Sequence, residues 1–70
     1  MWQVIYIAGS KAVAEQLRDA LAAEGILVSL RPVGADGENV PFELLVPHGE
    51  AREANELLNL SLGRLRYSKK

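Results

Sequence analysis

The sequence predicts an α+β domain in which one antiparallel sheet carries two helices on a single face. Three observations predict it. Apolar and β-branched residues run with a strand period over 2–8, 26–31 and 41–47. A helical period takes over in 11–24 and again after Pro47. Pro32, Pro41 and Pro47 punctuate the strand segments, because proline cannot donate to a ladder.

The first strand, "WQVIYIA", is apolar on both sides, with Gln3, Ile5 and Ile7 pointing one way and Trp2, Val4, Tyr6 and Ala8 the other. It is expected in a sheet covered at least partly on both faces. Ser10 offers a hydroxyl as the N-cap of a helix over 11–24. Val13, Leu17, Ala20 and Leu21 share its apolar face, while Ala12, Ala14, Ala22 and Ala23 add helix propensity without demanding burial. Gly25 suits the left-handed end of that helix, with Ile26 closing back onto Leu21 in a Schellman arrangement. A second strand follows over 26–31, with Ile26, Val28 and Leu30 on one face. The third, over 41–47, sets Phe42, Leu44 and Val46 on one face and Glu43 opposite. After Pro47 a second helix places Glu50 and Glu53 in its first turns, where the helix dipole favours acids. Ala51, Ala54, Leu57, Leu58, Leu62 and Leu65 share a face, and Gly63 is read as a stop near Leu62.

The order β-α-β-β-α(-β) is that of a ferredoxin-like sandwich. Residues 1–62 form its single domain, and 63–70 form a basic C-terminal tail or a short closing strand. Two helices on one face leave the other sheet face open. Trp2, Val4, Tyr6, Leu27 and Leu45 are expected to project there, as an interface for a partner or a second copy.

Composition agrees with a protein that associates. At 70 residues one core supplies only about 3–5 kcal/mol of net stability. The chain has no cysteine, so disulfides and thiolate metal sites are excluded and association is the remaining device. No segment reaches the apolar length of a membrane helix, and the start lacks the basic region of a signal peptide, so a cytoplasmic protein is expected. The net charge of −1 is uneven: Arg64, Arg66, Lys69 and Lys70 are basic, leaving four basic against nine acidic side chains in residues 1–63. Overall charge argues against nucleic acid, and the tail with its one Tyr67 is thin support for it.

The residues that could carry chemistry are few. The loop "GADGEN" lacks the spacing of a phosphate loop, precedes a strand and is acidic, so Asp36, Gly37, Glu38 and Asn39 read first as a hairpin tip and second as a partner-contact loop. The calcium-loop spacing is absent, and no metal or cofactor is expected. Ser10 and His48 both fall at strand-to-helix junctions, and a shared end of the sheet would bring them together. Without a glycine elbow or an orienting third group they make no hydrolase. His48 is expected exposed at a helix start. Arg31 and Glu43 on neighbouring strands are expected to pair. The expected function is therefore non-enzymatic.

The segments "WQVIYIA", "AVAEQLRDALAAEGI", "FELLVP" and "EAREANELL" together resemble a family of short bacterial signal-transducing proteins, a domain of unknown function with a fold similar to that of the nitrogen-regulatory PII proteins. The likeness spans roughly residues 2–60. It implies a compact ferredoxin-like domain that self-associates, as a homodimer, with a regulatory or binding role and a small effector at the subunit boundary. It carries over no catalytic residues. The segment matching the PII partner loop, residues 32–40, is shorter and holds no nucleotide-binding motif. The alternative is an amino-acid-binding module like the ACT domains, which share this element order and use the loop after the first strand, here "AGSK", against a partner subunit.

Overall fold

A computed structural model describes residues 1–34 and 39–67, with side chains described up to residue 63. Strand β1 (Trp2–Ala8) leads to helix α1 (Lys11–Ala22), then β2 (Ser29–Pro32), β3 (Phe42–Pro47), a 3-10 turn (His48–Glu50) and helix α2 (Ala51–Tyr67). The sheet order is β1-β3-β2, both pairings antiparallel, so the domain is α+β with a three-stranded antiparallel sheet and two helices.

Local chemistry sets the ends of α1. The Ser10 Oγ accepts from the Val13 amide at 3.4 Å, the cap expected of an extended serine before a helix. At the other end Gly25 takes φ 87°, its amide donates to the Ala22 carbonyl, and the Ile26 amide reaches back to Leu21 at 3.1 Å. Ile26 and Leu21 both enter the core, so the turn that stops the helix also starts the next packed segment.

Two hydrogen bonds fix the phase of the whole sheet. The His48 amide donates to the Met1 carbonyl at 2.8 Å, and the Val33 amide to the Pro41 carbonyl at 2.9 Å. Backbone groups alternate sides along an antiparallel strand. Phe42, Leu44 and Val46 therefore turn theirs toward β1, while Glu43 and Leu45 turn theirs toward β2. Continuing the register, Pro47 would have to donate to Leu27, and it has no N–H. That is why β2 begins at Ser29 although the extended, alternating pattern begins at Ile26.

Both helices pack on the face carrying Phe42, Leu44 and Val46. With Ala8, Ala14, Leu17, Leu21, Ile26, Ala51, Ala54 and Leu58 these form the buried core. Ala14 is fully buried, so it does more than favour helix: it is part of the core itself. Helix α2 differs from expectation at its far end. It runs through Gly63 to Tyr67, and Gly63 does not adopt the left-handed conformation that would end it. Residues 63–67 are thus helical and not a closing strand. A helical glycine costs about 1 kcal/mol against alanine, a cost that the packing of Leu57 and Leu62 on the core offsets. Residues 68–70 lie outside the described residues.

Candidate functional site: the open sheet face and the β1 edge

Strand β1 does not alternate evenly. Val4 pairs with Leu45 and Tyr6 pairs with Leu44, so one extra residue, Ile5, sits in β1 between them as a β-bulge. The bulge moves every later side chain of β1 to the other face. Tyr6 consequently turns with Leu44 toward the helices and packs against the core, contrary to the expectation that it joins Trp2 and Val4. Ile7 takes its place on the open face. Nothing in "VIYI" announces this, since the bulge residue is an isoleucine with an ordinary negative φ.

The open face therefore carries Trp2, Val4 and Ile7 from β1, Leu45 from β3, and Leu27 just before β2. Ile7 is 54% exposed and Leu27 62%, and Trp2 and Val4 are exposed as well. Leu45 is different, at 7% exposure. It lies outside the main core cluster, at the floor of a shallow depression that Trp2, Ser29, Leu30 and Arg31 border. Beside these apolar groups sits an ion pair: Arg31 Nε and Nη2 donate to Glu43 Oε1 at 2.8 and 2.5 Å. The expected cross-strand pairing of Arg31 and Glu43 is present.

The same phase argument describes the outer edges. In β1 the residues whose backbone groups turn away from β3 are Trp2, Val4 and Ile7, and among the described residues no strand pairs with them. In β2 the outward residues are Leu30 and Pro32, and Pro32 has no N–H to offer.

The polar candidates do not converge. Ser10 follows the C-terminal end of β1, whereas His48 is hydrogen-bonded to Met1 at the strand's beginning. At ~3.3 Å per residue the two stand more than about 20 Å apart, at opposite ends of the sheet, which removes any Ser–His pairing. His48 is exposed, and its Nδ1 donates to Gln3 Oε1 at 2.7 Å. Of the acidic loop, Asp36, Gly37 and Glu38 lie outside the described residues. Asn39 is exposed and lines a shallow polar hollow with Ser10, Lys11, Ala12 and Glu15, beside the "AGSK" segment. Glu50 Oε1 is buried without a hydrogen-bond partner in a half-buried residue. Among the described residues no group of three or more His, Asp or Glu side chains could hold a metal ion, and no helix is long and apolar enough to cross a membrane.

No family model, curated protein or solved structure matches this chain.

Proposed function

We propose that this protein is a non-catalytic regulatory or interaction module of ferredoxin-like architecture that works as a homodimer. The observation that carries the reading is the open sheet face, where Trp2, Val4, Ile7 and Leu27 stay exposed on the side the helices leave bare. Large apolar side chains gathered on one face mark a surface that a partner covers. The strand order β1-β3-β2 with both helices on one face supports the architecture. The regulatory part rests on the resemblance to short bacterial signal-transducing proteins. A second reading, amino-acid binding of the ACT kind, is favoured by one feature, the hollow at Ser10, Lys11, Glu15 and Asn39 beside the loop after β1.

Light scattering across a dilution series, with and without a pool of nucleotides and amino acids, tests both. The expected result is a mass of twice the chain, with emission from the single tryptophan, Trp2, shifting to the blue as the dimer forms. Amino acids that raise the melting temperature would move the weight to the second reading. A monomer at every concentration, with Trp2 emission fully hydrated throughout, defeats the dimer reading.

A further inference from the structure

We propose that a second copy of this chain joins through the outer edge of β1, antiparallel about a two-fold axis that passes between Ile5 and Tyr6. This deepens the homodimer reading and rests on it, since it names the surface and the register.

The edge itself specifies a strand as its occupant. Trp2, Val4 and Ile7 turn their N–H and C=O groups outward with no partner strand among the described residues, and a row of unpaired backbone groups is a template for another strand. Natural edges are blunted by charge, proline or shortness. Strand β2 has all three devices: four residues, an exposed Arg31, and Pro32 in an outward position. Strand β1 has seven residues with no charge and no proline, and its one irregularity is the bulge at Ile5.

Self-pairing follows from symmetry. A two-fold axis pairs a strand with its own copy, so a charge close to the axis would meet its own like charge. Trp2–Ala8 contains none, whereas the same operation at β2 would bring Arg31 toward Arg31.

The bulge then selects the register. Outward residues must meet outward residues for both N–H···O bonds to be exchanged. Placing the axis between Ile5 and Tyr6 sets Val4 opposite Ile7 of the second copy and Ile7 opposite its Val4. The bulges then lie opposite each other, and the ladder continues on both sides of them. Val4 and Ile7 both project on the open face, so each hydrogen-bonded pair is also a contact between two exposed β-branched side chains, a favourable cross-strand combination. Gln3 meets Ala8 of the copy on the helix side, again in matching orientation.

The chain has no cysteine, which allows a direct test. Chains carrying Val4→Cys and Ile7→Cys are mixed and oxidised. Directly opposite hydrogen-bonded residues have Cα atoms about 5.5 Å apart, within disulfide reach. The expected product is the mixed 4–7 cross-link in at least tenfold excess over either self-linked chain. Both sites are exposed, and circular dichroism checks that each variant folds. A second measurement reads the edge directly: on dimerisation the outward Val4 and Ile7 amides gain at least tenfold protection from hydrogen exchange. A dimer that gives self-linked Val4→Cys, no cross-link, or no gain in protection at the Val4 and Ile7 amides overturns the β1 pairing while the homodimer reading stands. A protein monomeric at every concentration overturns both, and would leave this edge to a strand from another protein.

Discussion

Leu44 and Leu45 are adjacent in β3, of the same residue type, and almost equally hidden from water, at 0% and 7% exposure. Their surroundings have little in common. Leu44 lies under two helices in the main cluster, with Tyr6 and Leu30 beside it in the sheet. Leu45 faces the other way, between Val4 and Ser29, sheltered at the rim by Trp2 and Arg31 and roofed by nothing else among the described residues. Burial alone therefore does not identify a core. What distinguishes the two is whether neighbours close over the side chain or only stand around it.

The pair of substitutions that separates them should also give the largest effects. Leu44→Ala leaves a cavity between sheet and helices that cannot collapse, and is expected to cost about 2–5 kcal/mol. Leu45→Ala opens onto solvent, where loss of the side chain leaves no sealed void, so its cost should fall at or below ~2 kcal/mol. Urea unfolding, at concentrations too low for association, measures both. Equal losses would mean that the open face is closed over in the isolated chain, and the comparison would collapse.

Ile26 and Leu27 repeat the contrast on a smaller scale. Ile26 is 5% exposed and seals the turn after α1, whereas Leu27 beside it is one of the most exposed apolar side chains. Ile26→Ala should cost about 2 kcal/mol, near the lower end for such truncations, and Leu27→Ala should stay within about 0.5 kcal/mol. A Leu27→Ala loss as large as that of Ile26→Ala would show that Leu27 is held by contacts within the chain and is not part of a free surface.

These contrasts also explain how much could be read from sequence. The core face of β3 was legible because Phe42, Leu44 and Val46 alternate without interruption, and α1 was legible because Ser10 and Gly25 act on their own immediate neighbours. The face of Tyr6 was not, because the bulge at Ile5 is decided by how β1 meets β3, some forty residues away in sequence. The start of β2 depended on Pro47 through a register no local pattern shows. Gly63 carried a stop signal that the anchoring of Leu57 and Leu62 overrode. The candidate site suffers most from this, since an open face is defined by what fails to cover it, and every element of the fold enters that sum.

The Arg31–Glu43 pair offers the smallest effect and the finest test of the same comparison. It lies on the open face beside the depression over Leu45, and its side chains are 61% and 21% exposed. Both guanidinium bonds go to one carboxylate oxygen, Glu43 Oε1. For so exposed a pair, solvent screens most of the attraction, and a double-mutant cycle with Arg31→Ala and Glu43→Ala should return about 0.2–1 kcal/mol of coupling. Raising the salt to about 1 M shortens the screening length to ~3 Å and should remove most of it. If the coupling instead exceeded that range and resisted salt, the pair would have to sit in a drier environment than the single chain provides. Only a covering surface could supply that, so a strong, salt-resistant coupling that weakened on dilution would locate the partner over this face and not at the strand edge alone.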